Sequence, residues 1–179
     1  MKFILYDLEA TCWRGRPPKG VNEIIEIGAL MVNGYGEVLD TFNKFIKPDV
    51  NPILSGFCTS LTSISQEDVD RAEKFPRVIE QFKDWIELDD NYYLCSWGKF
   101  DKQLLINDHQ LHDLEHDWLE SSLDIKGQYQ ELRSNVKKTG LKNTIKREGF
   151  EFTGIHHRAI SDAENLAKIF IKYIDSWKY

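Results

Sequence analysis

The sequence predicts an α/β domain in which a mixed sheet of about five strands carries packed helices. Three observations lead there. Apolar runs of strand length recur at residues 3–6, 24–32, 38–46 and 92–96. Apolar residues at three-and-four spacing mark helices at Val78, Ile79, Phe82, Trp85 and Ile86, and again from Ala159 to Ile174. The first of these helices separates the third strand from the fourth, which predicts a crossover that lays the fourth strand parallel to the first.

The first strand, residues 3–6, runs directly into two carboxylates, Asp7 and Glu9. Two positions apart on a strand, both side chains project from one face, at the edge of a core. Unpaired acids there repel each other and resist desolvation. A divalent cation relieves both problems, because carboxylate oxygens are the ligands Mg²⁺ and Mn²⁺ prefer. The same residues also fit a strand that ends in a solvated acidic turn. Residues 14–20 form a Gly- and Pro-containing loop with Arg14, Arg16 and Lys19, either facing a phosphate bound at the acidic strand or simply solvated. Residues 24–32 and, after the Tyr35-Gly36 turn, residues 38–46 complete a three-stranded antiparallel meander. Glu26 lies between Ile25 and Ile27, so it either faces water from an edge or is held by a partner beside the acidic strand.

Residues 47–52 end the sheet run. Residues 55–64 mix Ser, Thr and apolar side chains, Leu61 among them, and are assigned no element. Ser65 followed by Glu67 and Asp68 is a helix N-terminus, and residues 75–88 form an amphipathic helix. The fourth strand, residues 92–96, leads through Trp97-Gly98-Lys99-Phe100 to Asp101, and residues 102–111 continue as a helix. A short fifth strand is expected near 122–125, with helices at 127–134 and 141–148, the latter closed by Gly149. The last helix, 158–174, carries Asp162 about one turn in, on or beside the face of Ala159 and Leu166. His157 stands at its entrance, where a neutral imidazole can take a proton from a metal-bound water. A capping or surface role also fits both His157 and His156, and His156 has, on spacing, less claim to the base role.

The chain of 179 residues suits one domain spanning 1–179, and 41% hydrophobic with 29% charged residues is ordinary globular composition. No apolar run reaches the roughly 20 residues of a membrane span, and no signal-peptide pattern opens the chain. Cys12, Cys58 and Cys95 lack metal-type spacing and are expected as reduced thiols of a cytoplasmic protein. The net charge of −6 argues against generic nucleic-acid binding, although bound divalent ions would offset it and residues 126–147 are strongly basic.

Asp7-Leu8-Glu9-Ala10-Thr11, Trp97-Gly-Lys-Phe-Asp101 and His157-Arg-Ala-Ile-Ser-Asp162, in this order, resemble the three motifs of the DEDDh 3′-to-5′ exonucleases of the ribonuclease H-like fold. That group contains the proofreading DnaQ subunit and ribonuclease T. Glu9-Ala-Thr-Cys-Trp13, Asn22-Glu-Ile-Ile-Glu26, Leu61-Thr62-Ser-Ile64 and Ser96-Trp97-Gly98 are most similar to the Eri/KapD-type members. In some animal members the second-motif acid directly follows the Trp, where this chain has Gly98. Asp101 matches the bacterial branch and the wider group and receives the role here.

The resemblance implies a ribonuclease H-like fold with helices on both faces of the mixed five-stranded sheet. It implies that Asp7, Glu9 and Asp162 hold one Mg²⁺ (or Mn²⁺) and that Asp7, with Asp101 through water, holds a second, two ions roughly 3.5–4 Å apart serving an in-line displacement. It implies His157 as the base and nucleoside 5′-monophosphates as products from single-stranded RNA or DNA 3′ ends, RNA favoured. The backbone around Ala10 and Thr11 would meet the terminal 3′-hydroxyl. Trp97 and Leu61 are candidates to flank the last bases or, alternatively, to pack in the core. Arg133, Lys137, Lys138, Lys142, Lys146 and Arg147 would carry upstream phosphates or form a solvated face. The competing reading is a catalytically silent module of this fold that binds nucleic acid or protein.

Overall fold

The computed structural model describes residues 1–88, 91–134 and 139–179. Five strands, β1 (Lys2–Ala10), β2 (Ile24–Asn33), β3 (Val38–Phe45), β4 (Tyr92–Ser96) and β5 (Ser122–Asp124), form one sheet in the order β3-β2-β1-β4-β5. β1, β2 and β3 are the antiparallel meander, while β4 lies parallel to β1 and β5 parallel to β4. The helices are α1 (Gly56–Thr62), α2 (Gln66–Asp70), α3 (Phe75–Ile86), α4 (Phe100–Leu111), α5 (Ile125–Leu132), α6 (Leu141–Arg147) and α7 (Ala159–Lys172).

Both faces of the sheet are covered, which is why β1 and β2 read as near-continuous apolar runs. On one face Ile4, Tyr6 and Leu8 pack with Phe75, Phe82 and Leu104 of α3 and α4. On the other, Phe3 and Leu5 pack with Tyr129, Ile145, Leu166 and Phe170 of α5, α6 and α7. A third, smaller cluster under α1 and α2 joins Ile25, Leu54, Cys58, Ile64 and Val69. Burying each such aliphatic or aromatic side chain contributes about 1.5–3 kcal/mol against conformational entropy.

Two expectations change, and the open alternative at Glu26 is decided. Residues 55–64, assigned no element from sequence, contain α1, capped by the Ser55 hydroxyl accepting from the Cys58 N–H. Helical spacing was masked there by small polar residues, which compete for the backbone in isolation and serve as caps when the helix is held by packing. α4 begins at Phe100 instead of Lys102, so Asp101 lies in a helical first turn. β2 is an interior strand, so Glu26 does not face water and is fully buried. Ser65 is indeed a cap, in a reciprocal capping box with Asp68. Cys12, Cys58 and Cys95 are free thiols, and among the described residues no helix is long and apolar enough to cross a membrane.

Candidate active site

β1 outruns β4 at the carboxyl end of the parallel pair: pairing covers Lys2 to Leu5, and Tyr6 to Ala10 continue alone on that side. Asp7 and Glu9 extend the Phe3–Leu5 face, the one over which α7 lies. The first turn of α7 brings Asp162 onto the same spot, and one carboxylate oxygen from each of Asp7, Glu9 and Asp162 lies within 4.8 Å of the others. Asp101 arrives from the start of α4, where its carboxylate accepts the N–H groups of Leu8 and of Asp101 itself. Glu9, Asp101 and Asp162 are buried, and Asp7 is half-buried.

The electrostatics of this cluster are those of acids without enough positive charge. Burial, then the charges of Asp101, Asp162 and Glu9, holds the Asp7 carboxyl well above the usual carboxylate range. Burial, followed by Asp162 and Glu26, pushes Glu9 up to about 8, with Arg158 opposing. Asp101 is pushed up to about 7, again chiefly by burial. Asp162 is raised by burial, against the opposing backbone N–H and imidazole of His157. Such a cluster favours protons or cations over four bare carboxylates. An all-oxygen, carboxylate donor set converging within one ion's reach fits a hard divalent cation.

His157 adopts a left-handed backbone conformation, φ 65°, uncommon without glycine. Its N–H donates to Asp162 Oδ2 at 2.8 Å, and its Nδ1 lies 3.9 Å from Glu9 Oε1. Burial and the adjacent His156 hold the imidazole below its usual pKa, so it is largely neutral at pH 7. His156, given less claim from sequence, is close as well: its ring centroid is 3.9 Å from that of His157 and its Nε2 is 3.9 Å from Asp162 Oδ1.

The substrate-side candidates separate. Thr11 is buried, its N–H and hydroxyl engaged with the Glu23 backbone and its carbonyl with the Asn22 amide, while Ala10 stays half-buried at the end of β1. Leu61 is 36% exposed on α1. Trp97 is half-buried against Tyr129, ring centroids 5.7 Å apart, with its indole N–H lacking a partner among the described residues. In the basic run, Arg133 donates to the Tyr173 hydroxyl and lies 3.8 Å from Glu148, and Arg147 bonds the Tyr129 hydroxyl, so both serve internal contacts. Lys142 lies over the Phe152 ring and is near enough to His156 and His157 to depress both. Lys137 and Lys138 lie outside the described residues. In the loop after β1, Arg14 lies over the Phe57 ring of α1, 5.9 Å from its centroid.

Two residues near the carboxylates were not singled out from sequence. Phe100, beside Asp101, is 69% exposed and borders a groove of about 460 Å³ running from Asn22 to Leu111. Its place before a helix's first acid was the available signal. Arg158, adjacent to His157, was legible only as one letter of a motif until its partner Glu26 was found 132 positions away. A larger hollow of about 550 Å³, lined by Pro76, Lys83 and His109, lies away from these acids.

Comparison with known proteins agrees with this geometry. Residues 4–170 match the RNase_T family, described as "Exonuclease". The chain is 33% identical over 182 residues to the human 3′-5′ exoribonuclease 1, covering 95% of this chain and 51% of that protein. It is 28% identical over 195 residues to the fission yeast 3′-5′ exonuclease eri1, covering 93% and 65%. The chain thus spans about half the length of the human relative. Among solved structures, the nuclease domain of 3′hExo, a DEDDh family member bound to rAMP, superposes with a TM-score of 0.90 at 32% identity, covering 97% of this chain and 92% of that one. A 3′-exonuclease described in 3′-end-specific recognition of the histone mRNA stem-loop gives the same TM-score at 31% identity, covering 97% and 81%. Fold, acidic cluster and likeness agree: this chain belongs to the exonuclease family of the DEDDh, Eri type, on the ribonuclease H-like fold.

Proposed function

We propose that this chain is a metal-dependent 3′-to-5′ exonuclease that removes nucleoside 5′-monophosphates from single-stranded RNA 3′ ends. The observation carrying this reading is the convergence of Asp7, Glu9 and Asp162 within 4.8 Å, with Asp101 and His157 at its rim. Asp7, Glu9 and Asp162 would hold one divalent ion, and Asp7 with Asp101 a second. When bound, two such ions supply Lewis-acid stabilisation to the attacking and leaving oxygens of an in-line displacement. His157, neutral and half-exposed, takes the proton of the attacking water, and its bond to Asp162 fixes its position. Ala10 at the strand end would meet the terminal sugar, and the exposed apolar side chains of Phe100 and Leu61 would be surfaces for the terminal bases. RNA is favoured because the human relative is named an exoribonuclease. A cytoplasmic setting, with the three thiols reduced, belongs to the same reading.

A silent module is disfavoured by cost, since acids raised as far as Glu9 and Asp101 make the folded state less stable at neutral pH unless a cation binds. The test is a time course on 5′-labelled single-stranded RNA and DNA of one sequence, with Mg²⁺, Mn²⁺ or EDTA, beside Asp7→Ala and His157→Ala. A metal-dependent ladder shortening from the 3′ end, lost in both variants, is expected. Binding without shortening under any metal would move the assignment to the silent module.

A further inference from the structure

We propose that Glu26 and Arg158 form a positioning latch that sets His157 and Asp162 against the two β1 carboxylates. The inference deepens the exonuclease reading and rests on it for its catalytic consequence. In the sheet register, Glu9 stands opposite Glu26, which in turn stands opposite Phe45, so the three form one row across β1, β2 and β3. Arg158 lies over this row. Its Nη2 donates to Glu26 Oε1 at 2.8 Å, its Nε donates to Oε2 at 3.1 Å, and its guanidinium sits 5.1 Å from the Phe45 ring centroid. Glu26 Oε2 also accepts the Ala159 N–H at 2.9 Å, so one fully buried carboxylate holds both the residue before α7 and the helix's first N–H.

The next row repeats the device without a side chain. Asp7 stands opposite Gly28, and a Cβ at Gly28 would lie 2.1 Å from the Ile160 nitrogen and 2.3 Å from the Ala159 carbonyl carbon. The two β2 residues facing the acidic pair are thus the two that dock the start of α7. Immediately before the latch is His157 in its left-handed conformation, and the Arg158 carbonyl accepts the Asp162 N–H at 3.0 Å. Arg158 therefore sits between the base and the third acid, and its bidentate fork fixes the path of both. Glu26 lies outside the trio of converging ligands, and both its oxygens are engaged by Arg158 and the Ala159 N–H.

Mn²⁺ titration separates positioning from mere charge. Arg158→Gln removes a positive charge beside an acidic site, which by itself tightens Mn²⁺ binding. If Arg158 positions Asp162, the affinity falls instead, by at least about fivefold, while the unfolding temperature in EDTA shows a folded protein. The rate constant kcat on labelled RNA is expected to fall at least about tenfold, with KM changed less than about threefold. Arg158→Lys keeps the charge and loses the fork, and the same losses to a smaller degree are expected should the Gln variant not fold. Glu26→Gln is expected to weaken Mn²⁺ as well. Unchanged or tighter Mn²⁺ binding with unchanged kcat in Arg158→Lys and Arg158→Gln overturns the latch and leaves the exonuclease reading intact. A wild type that binds Mn²⁺ but cleaves nothing, with the same affinity losses in the variants, removes the exonuclease reading and keeps the latch. A wild type that binds no Mn²⁺ removes both.

Discussion

Helix α7 meets buried acid at both ends, and the two ends are built differently. At its start, Asp162 joins Asp7, Glu9 and Asp101, four carboxylates whose nearby cation, Arg158, is already engaged by Glu26. At its end, the buried Glu148 accepts from the Tyr129 and Tyr173 hydroxyls at 2.5 and 2.7 Å and pairs with Lys172 at 2.8 Å. Burial alone would raise Glu148, but Lys172 and the two hydroxyls outweigh it and hold the carboxyl at about 2, whereas Glu9 is pushed to about 8. The same chemical group is thus a structural tie where donors surround it and a candidate cation ligand where they do not. What distinguishes function from architecture here is the deficit of compensating charge, since both acids are equally buried.

The largest expected effect comes from removing an acid at the uncompensated end. Asp7→Asn should lower exonuclease activity by roughly 10²–10³-fold or more and, because it relieves repulsion, raise the unfolding temperature in EDTA. Activity assays paired with thermal melts test both, and a melt that falls would mean the cluster is not under electrostatic strain. At the other end the sign reverses. Glu148→Ala removes the carboxylate shared by Lys172 and the Tyr129 and Tyr173 hydroxyls, and a loss of about 3 kcal/mol in urea unfolding is expected, with the rate per folded molecule nearly unchanged.

pH dependence sharpens the contrast. Glu9 and Asp101 have folded pKa values raised to about 8 and 7, so their stabilising contribution is complete below the unfolded carboxylate range and is lost as pH rises through those values. Glu148 is depressed to about 2, so its contribution is present above the unfolded value and lost as pH falls toward 2. Metal-free protein should therefore melt progressively lower between pH 5 and pH 8. Saturating Mg²⁺ or Mn²⁺ should recover the most at pH 8, by about 3 kcal/mol at a hundredfold excess over the dissociation constant. Equal metal stabilisation at pH 5.5 and pH 8 would count against a carboxylate-only site. The smallest effect is expected for Tyr129→Phe, which removes one of the donors to Glu148 and should cost about 1–2 kcal/mol without changing the metal dependence.

Much of this was legible in sequence where local rules act alone. The Tyr92–Ser96 strand, the Ser65 cap and the amphipathic stripe of α3 follow from periodicity and capping chemistry within a few residues. The D-x-E spacing of Asp7 and Glu9 forces a shared face on any strand. α1 was not legible because its Ser- and Thr-rich sequence is a weak helix former held in place by Cys58 and Thr62 packing inward. Arg133 shows a related limit: a side chain that suits a ligand suits an internal partner equally, and only the fold shows which is within reach.

By itself, the sequence determined the meander, the crossover to a parallel strand and the three acidic segments, since each is set by local pattern and chain connectivity. Tertiary structure alone decided that Asp7, Glu9 and Asp162 converge, that Glu26 is paired with Arg158 and that Glu148 is compensated. These are contacts between residues up to 155 positions apart, arising only when β1 and β2 are packed beneath α7 and α7 against α5 and α6. The energy of a buried carboxylate depends on which donors the fold delivers to it, and that delivery is a property of packing.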